Sequence, residues 1–415
     1  MTDVRSDARS ISQLLDAFAR TTDDIVTLDE LKERLASGRQ LRMKYGIDLT
    51  APMLHIGHAV NLWMYRDLQD LGHRLVLLLG DFTTQIGDPT GRAKTRPVIA
   101  SEEIEGNAKE ILAQVTSIVR TDPEVLEIRR NSEWWAPMAT RELLSIMSIV
   151  TLDRLTARDM FRRRADEGAE IHAHELVYPL LQGYDSVALE SDLTIVGTDQ
   201  LFNEMMGRWL QERYGQPGQI VFTTLITPGI EGREKQSKSL GNYIAVGHPP
   251  REKFGRVMRI PDSLIDEYFR VYTKVSLPVI EEIESHGPME AKLRLAQEIV
   301  RRYHGDDAAE RELEWFKATF SERRVPDEAP MVRVQGGTKR LFDILRSCFP
   351  DGEMSNSELR RLIAQRAVKV DGKVVDDPDE LLHVGDQVVQ VGRRRWFRLA
   401  AGESSRNQSR PLRAP

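Results

Sequence analysis

The sequence has one cysteine, Cys348, so an intrachain disulfide and a cysteine-rich zinc site are both excluded. It also lacks any apolar run close to the ~20 residues that a membrane helix needs. A positive charge balance is missing as well, since the formal net charge is −6, and a nucleic acid would have to bind a local basic patch. We therefore expect a protein of the reducing cytoplasm without membrane contact.

The chain of 415 residues is too long for one hydrophobic core, and several domains are expected. Strand-like runs alternate with helical patterns: LRMKYGI, then HAVNLWMYRDLQDLG ending at Gly72, then RLVLLLGD, and later DLTIV before NEMMGRWLQERYG. This alternation predicts an α/β fold with a doubly wound parallel sheet of the Rossmann type. Residues 11–37 have helical spacing and are predicted to be helical, with Thr27 and Glu30 forming a capping-box pattern before LDELKERLA.

Domain boundaries follow from changes in this pattern. The charged segment 263–320 has helical spacing without strand signals, VRVQGGTK is typical of a linker, and the C-terminal end is polar with proline and arginine. The predicted divisions are 1–232 for N-terminal helices and the Rossmann-type domain, 233–330 for a lysine-containing loop and helical domain, 331–338 for a linker, 339–400 for a small α/β domain, and 401–415 for a disordered tail.

Two segments have the residue types of a phosphate site. DLTAPMLHIGH, residues 48–58, lies between the first predicted strand and its helix, where backbone N–H groups and the helix dipole favour phosphate. KQSKSLGN, residues 235–242, carries two lysines that could close over a triphosphate. Taken separately, the first is equally consistent with a helix start that has incidental histidines, and the second with a solvated surface loop.

Together these segments resemble the HIGH and KMSKS signatures of class I aminoacyl-tRNA synthetases, with Gln236 in place of the usual methionine. In that family the carboxylate of the amino acid attacks the α-phosphate of ATP, and the enzyme stabilises the transition state electrostatically. The resemblance assigns the leaving pyrophosphate to Thr50, His55, Lys235 and Lys238, with help from Arg92 and Arg96 in a further loop. It assigns the rest of the nucleotide to His58, Gly57 and Ser239.

A helical segment around YPLLQGYDS suggests the amino acid. Tyr178, Gln182 and Asp185 are spaced i, i+4 and i+7, which puts them on one helix face. That face could simply be exposed to solvent. Alternatively, a buried carboxylate there could select tyrosine over phenylalanine, because an unpaired polar partner rejects the analogue by up to about 10⁵-fold.

The same segment, with VGTDQLFN at 196–203, resembles the tyrosine pocket of tyrosyl-tRNA synthetases. The resemblance implies that Tyr178, Gln182 and Asp88 bind the substrate ammonium, Asp185 the phenol, Asp199 and Gly197 the ATP ribose, Gln200 the carboxylate and α-phosphate, and Asp48 the ammonium or ribose. Tryptophan stays a minor alternative, since its indole N–H could also donate to an acidic group. Lys44, Leu49, Val196 and Gln236 depart from the family pattern.

The C-terminal segment 355–373 is predicted to form a capped helix, a strand and a tight Asp-Gly turn. This region resembles the small RNA-binding domain of bacterial tyrosyl-tRNA synthetases, although a solvated basic helix with a polar hairpin would have the same pattern. By resemblance, tRNA phosphates would contact basic residues of this domain, namely Arg360, Arg361, Arg366, Lys369, Arg393 and Arg394.

The family resemblance implies a homodimer that activates tyrosine with ATP and Mg²⁺ and transfers it to the 3′ end of tRNA(Tyr). No protein-bound metal is expected. Two alternatives remain open at this point. One is a specialised paralogue that activates a modified tyrosine for a biosynthetic pathway, and the other is a non-catalytic RNA-binding protein on the same fold.

Overall fold

The computed structural model describes residues 7–89, 99–237, 240–321, 329–335, 337–349, 353–392 and 395–402. The chain divides into two units, Met1–Ala309 and Glu310–Pro415. The part of the predicted 233–330 domain that precedes Glu310 therefore belongs to the same unit as the preceding sheet. Within the described residues, no helix combines the length and the apolar character that crossing a membrane requires.

The first unit contains alternating strands and helices. Its strands are β1 (Thr22–Val26), β2 (Arg42–Asp48), β3 (Arg74–Gly80), β4 (Leu126–Arg130), β5 (Leu193–Gly197) and β6 (Ile220–Thr224). Its helices are α1 (Ala8–Ala19), α2 (Leu28–Ala36), α3 (Ile56–Asp70), α4 (Thr83–Ile86), α5 (Ser101–Thr116), α6 (Ser132–Trp135), α7 (Thr140–Ser148), α8 (Leu152–Thr156), α9 (Asp159–Asp166), α10 (Ala173–Ala188), α11 (Leu201–Arg213), α12 (Pro250–Val257), α13 (Ile265–Tyr272), α14 (Leu277–Ser285) and α15 (Pro288–His304), followed by α16 (Asp306–Phe316), which contains the boundary.

The strands of this unit form a sheet in the order β1-β6-β5-β2-β3-β4. All neighbours are parallel except β1, which runs antiparallel to β6. The central strands are largely buried because both faces of a doubly wound sheet are covered; every residue of β6 is buried, including Thr223 and Thr224. The predicted α/β fold with a parallel sheet is confirmed.

The prediction that residues 11–37 are helical is wrong for Thr22–Val26, which form a strand, whereas the helix predicted to start after Thr27 is present. α1 ends at Ala19 and α2 begins at Leu28, and the intervening β1 adds an edge strand to the sheet. The apolar residues of this segment keep helical spacing on either side, so its periodicity did not reveal the short strand. The edge position is consistent with the exposed side chains of Asp23 and Asp24, since charged residues are common on edge strands.

Strands β2 and β5 pair only at their beginnings, through Met43–Leu193 and Lys44–Thr194. Beyond that point Tyr65 of α3 connects them: its hydroxyl donates to the Lys44 carbonyl and accepts from the Ile195 N–H, at 2.6 Å from that nitrogen. The side chain is fully buried. A tyrosine hydroxyl therefore satisfies the backbone groups that the ladder leaves unpaired where the two strands separate.

The second unit contains β7 (Met331–Gln335), β8 (Gly337–Arg340), α17 (Leu341–Cys348), α18 (Asn356–Ala364), β9 (Val368–Val370), β10 (Lys373–Val374), β11 (Leu381–Val384), β12 (Val388–Val391) and β13 (Arg395–Gly402). One sheet has the order β10-β9-β12-β13-β7 and the other pairs β11 with β8. The predicted capped helix is α18, whose N-cap Ser355 accepts from the Glu358 N–H through its hydroxyl, and the predicted turn has positive φ at Asp371 and Gly372.

The prediction of a linker at 331–338 is wrong, because the described residues of this range lie in two paired strands. β7 pairs in parallel with β13, and β8 pairs with β11. The alternating VRV residues carry the strand signal, and Val334 is buried in the core of this unit. The adjacent glycine and polar residues obscured that signal, because they are typical of loops as well as of strand ends.

Removing the Tyr65 hydroxyl should destabilise the sheet where β2 and β5 separate. We expect Tyr65→Phe to lower the free energy of unfolding by about 1–3 kcal/mol, because it leaves buried backbone groups unpaired. Urea unfolding followed by circular dichroism measures the change. Tyr214→Phe, at a tyrosine with 43% exposure, is the control and should have little effect; equal stabilities for both variants would contradict the role given to Tyr65.

Candidate functional site

The separation of β2 and β5 opens a cavity of about 340 Å³. The strand order reverses between these two strands, and ligands of open α/β sheets bind at such a reversal, beyond the carboxyl ends of the strands. Most of the residues predicted from the sequence line this cavity: Asp48, Thr50, His55, Gly57, His58, Asp88, Tyr178, Gln182, Asp185, Gly197, Asp199, Gln200 and Lys235. Predicted residues outside the described ranges are Arg92, Arg96, Lys238, Ser239, Arg393 and Arg394.

The histidine segment forms the start of α3. His55 precedes the first helical residue, its N–H donates to Nδ1 of His58, and the two ring centroids are 3.8 Å apart. A Cβ at Gly57 would lie 2.9 Å from the His55 ring. Glycine is therefore needed there to let the two imidazoles lie together beside the helix N-terminus, which favours anionic ligands.

The residues that follow the lysine segment lie directly against the histidine segment. The N–H of Ile56 donates to the Ile244 carbonyl at 2.8 Å, and the N–H of Val246 donates to the Leu54 carbonyl at 2.8 Å. Lys235 extends to the cavity, where its ammonium is 2.9 Å from the carboxylate of Asp199. The two segments that are far apart in sequence thus form one continuous wall.

Asp185 of α10 lies at the buried end of the cavity. Its Oδ1 accepts from the indole N–H groups of Trp134 and Trp135, each at 2.9 Å, and its Oδ2 accepts from Asn131 at 3.3 Å. Burial raises the pKa of this carboxyl to about 7, against the opposing effect of the Lys44 charge and of these three donors. A carboxylate has about four lone-pair sites, so it can still accept a ligand hydroxyl.

A second carboxylate, Asp48, is positioned at the carboxyl end of β2. Its Oδ2 accepts from the Tyr178 hydroxyl at 3.0 Å, and its Oδ1 accepts from the Thr83 hydroxyl at 2.9 Å. Burial and the nearby Asp48 and Asp88 charges raise the pKa of Tyr178 well above its usual value, so this tyrosine remains a neutral donor. The cavity accordingly presents several carboxylates on one side, which suits a cationic ligand group.

Amide side chains join these acidic groups into a chain of hydrogen bonds. Gln200 donates to Asp88 at 2.9 Å, Asn203 donates to the side-chain oxygens of Gln200 and Gln182, and Gln182 donates to Glu204 at 2.8 Å. The amides of Gln182 and Gln200 are thereby fixed in orientation as well as in position, because the oxygen of each accepts from Asn203 while its nitrogen donates to a carboxylate. The sequence identified Gln182 and Gln200 but missed Asn203 and Glu204.

Lys44, one of the departures from the family pattern, forms a fully buried ion pair. Its ammonium is 2.8 Å from the Glu204 carboxylate, with side-chain exposures of 1% and 3%, and it also donates to the Ser186 hydroxyl. Gln219 donates a further hydrogen bond to Glu204 at 2.8 Å. This pairing satisfies both charges in a setting where an unpaired ion would be strongly unfavourable.

Two close helix contacts bring α10 and α11 into position. A Cβ at Gly183 would lie 3.1 Å from the Gly207 nitrogen, and one at Gly207 would lie 2.7 Å from the Ser186 hydroxyl oxygen. Small residues at both positions therefore allow Gln182 on one helix to lie beside Glu204 on the other. The missed residues Asn131, Trp134 and Trp135 follow β4, so their signal was a polar and aromatic cluster just after a strand.

The basic residues predicted for RNA are partly described in the second unit. Arg360, Arg361 and Arg366 are exposed and Lys369 is half-buried. The Arg360 guanidinium lies 4.5 Å from the centroid of the Phe342 ring, and Arg366 pairs with Asp376 at 3.2 Å. These positions leave the guanidinium groups of α18 accessible to an anionic partner.

Comparison with known proteins gives consistent matches. The family described as tRNA synthetases class I (W and Y) matches residues 36–321, and the S4 domain matches residues 355–388. The tyrosine–tRNA ligase of Thermotoga maritima is 41% identical over 399 residues, 93% of this chain and 97% of that protein. That of Bordetella pertussis is 43% identical over 389 residues, 92% and 94% of the respective chains.

Two solved structures with a similar fold are those of tyrosyl-tRNA synthetases. The C-terminally truncated mitochondrial enzyme of Aspergillus nidulans has a TM-score of 0.62 at 23% identity and covers 75% of this chain and 97% of its own. The enzyme of Archaeoglobus fulgidus complexed with L-tyrosine has a TM-score of 0.58 at 22% identity, covering 73% and 99%. At these identities the likeness shows the fold.

The Lys44–Glu204 pair should be costly to break. We expect Lys44→Met to lower the free energy of unfolding by about 3–5 kcal/mol, because it leaves the Glu204 carboxylate buried without its cation. Urea unfolding should show partial recovery in the double variant Lys44→Met/Glu204→Gln. Lys274→Met, which breaks an exposed pair with Asp67, should cost at most about 1 kcal/mol, and a similar cost for the two lysines would contradict this account.

Proposed function

Since this chain belongs to the tyrosine–tRNA ligases of the class I tRNA synthetases, we propose that its cavity activates tyrosine with ATP and that the product is passed to tRNA(Tyr). The observation that carries the proposal is Asp185, a buried carboxylate held by two indole N–H groups at the end of the cavity. A hydrogen bond from the phenol hydroxyl to that carboxylate would distinguish tyrosine from phenylalanine, because phenylalanine would leave the acceptor unpaired.

The acidic side of the cavity is proposed to bind the substrate ammonium. Asp88 and Tyr178 lie among the carboxylates and oriented amides described above, and Gln182 is fixed between Asn203 and Glu204. When an ammonium donates hydrogen bonds to oxygens that are already held in place, the side chains that carry those oxygens lose little conformational entropy on binding. The phenol and the ammonium would then bind at separate points, which sets the direction in which the carboxylate of tyrosine faces ATP.

The nucleotide is proposed to bind along the wall formed by the histidine and lysine segments. Thr50, His55, Lys235 and Lys238 would stabilise the leaving pyrophosphate, with Arg92 and Arg96 contributing, and His58, Gly57 and Ser239 would border the nucleotide. Asp199 and Gly197 would hold the ribose, and Gln200 would lie near the α-phosphate. The position of His55 and His58 at a helix N-terminus supports this assignment.

In the proposed first step, a carboxylate oxygen of tyrosine attacks the α-phosphorus of ATP, and the bond to the bridging oxygen of pyrophosphate breaks. No enzyme nucleophile is required, so positioning and charge stabilisation supply the catalysis. In the second step a hydroxyl at the 3′ end of tRNA(Tyr) attacks the activated carbonyl and releases AMP. We propose that ATP enters with Mg²⁺ bridging its phosphates as part of the substrate.

The S4 domain is the proposed contact for tRNA outside the catalytic unit. Arg360, Arg361, Arg366 and Lys369, with Arg393 and Arg394, would contact phosphates and position the RNA more than read its sequence. The proposal includes a homodimer acting in the cytoplasm. Both of these points rest on resemblance to the bacterial members of the family.

The function is tested by ATP–pyrophosphate exchange with tyrosine, phenylalanine, tryptophan and ring-modified tyrosines. We expect tyrosine to give the fastest exchange, and Asp185→Asn to lower kcat/KM for tyrosine by roughly 10- to 150-fold, the value of a hydrogen bond to a charged group. Asp192→Asn, at a buried carboxyl outside the cavity that pairs with Arg39, is the matched control. Faster exchange with a modified tyrosine would favour the specialised paralogue, and no exchange with any amino acid would reject the proposal.

The raised pKa of Asp185 predicts a pH dependence of tyrosine use. Only the ionised carboxyl is a full acceptor for the phenol, so kcat/KM for tyrosine should rise with pH between about 6 and 8, with an apparent pKa of about 7. The profile of Asp185→Asn should be flat over this range. A wild-type profile without this inflection would show that Asp185 does not control tyrosine binding by its charge.

A further inference from the structure

Gln236 occupies the signature position where the family usually has methionine, and its side chain is 6% exposed. Its Nε2 donates to the Tyr272 hydroxyl at 2.7 Å and to the Thr227 hydroxyl at 3.4 Å, while its Oε1 accepts from the Ile244 N–H at 3.3 Å. A methionine thioether has no donor and is only a weak acceptor, so it could not replace these contacts.

The three partners of Gln236 belong to different parts of the first unit. Thr227 follows β6, Tyr272 is the last residue of α13, and Ile244 pairs with the histidine segment through Ile56. The Thr227 and Tyr272 hydroxyls also bond to each other. Gln236 therefore joins the lysine segment to the sheet, to the helical part and to the histidine segment in one buried cluster.

A second set of contacts closes the base of the same loop. The Asn242 side chain accepts from the Ser237 N–H at 2.8 Å and donates to the Lys235 carbonyl at 3.3 Å. A Cβ at Gly229 would lie 2.5 Å from Asn242, so the segment that follows β6 approaches closely here. The two ends of the loop are thus held together just beside Lys235, whose ammonium faces Asp199 in the cavity.

We propose that Gln236 is a positioning residue for adenylate formation. Its hydrogen bond to Tyr272 fixes the backbone of the adjacent Lys235, so that the lysine ammonium stays at the nucleotide side of the cavity. This inference rests on the proposed function. Gln236 contacts no reacting atom in this account; it acts through the placement of the adjacent lysine. Loss of that placement should slow the step in which pyrophosphate leaves, because charge stabilisation depends on position to within about 1 Å.

The test compares Gln236→Met, Tyr272→Phe and their double variant in ATP–pyrophosphate exchange with tyrosine. We expect Gln236→Met to lower kcat, or kcat/KM for ATP, by about 10- to 100-fold. KM for tyrosine should change less than about twofold, as expected of a substitution that does not touch the tyrosine pocket. Tyr272→Phe should act in the same direction. The double variant should be no worse than the more impaired single variant, because both disrupt one shared interaction.

Gln69→Met is the matched control. Gln69 is also fully buried and makes equivalent hydrogen bonds, to Arg120 and Val125, away from the cavity. The Gln69→Met variant should have a lower Tm than the wild type, but the same kcat and the same KM for ATP and for tyrosine at a temperature well below unfolding. The inference is overturned if Gln236→Met keeps the wild-type ATP parameters, or if its loss of activity follows Tm as in the control. Absence of exchange by the wild type would reject the proposed function, and this inference with it.

Discussion

The separation of β2 from β5 is the constraint on which the site depends. Parallel strands that stay paired leave no room between them, whereas these two are hydrogen-bonded only at their beginnings. The backbone groups exposed by the separation must still be satisfied, and the Tyr65 hydroxyl does this from α3. The helix whose first turn carries His55 and His58 is therefore the same helix that stabilises the opening behind them.

Buried charge is the second constraint, since the opening between the strands lies deep in the protein. The Lys44 charge is compensated by an ion pair with Glu204, and the amides of Gln182 and Gln219 donate further hydrogen bonds to that carboxylate. Asp185 is instead stabilised by hydrogen bonds from two indoles and one amide. This difference explains why Asp185 keeps acceptor capacity for a ligand, whereas Glu204 is already committed to neighbouring side chains.

Much of the site could be predicted from the sequence because its residues lie in short segments with regular spacing. Tyr178, Gln182 and Asp185 share a helix face, and α10 does direct that face to the cavity. Glu204 could not be found in this way. Its role depends on Lys44, which is distant in sequence and lies on β2, so only the packing of α11 against the sheet brings the two charges together. The same limit applies to β1, a short edge strand that is defined by its pairing partner rather than by its own periodicity.

The departures from the family pattern follow the same physical rule. Lys44 and Gln236 each place a polar group where burial makes an unpaired donor costly, and each is surrounded by partners that satisfy it. Lys44 requires Glu204 and Ser186, and Gln236 requires Tyr272 and Ile244. A single substitution at either position would therefore leave several groups unsatisfied, so these residues are better understood as members of sets than as isolated differences. Such sets fix the geometry of a cavity wall more narrowly than apolar packing does, because hydrogen bonds depend on direction as well as distance.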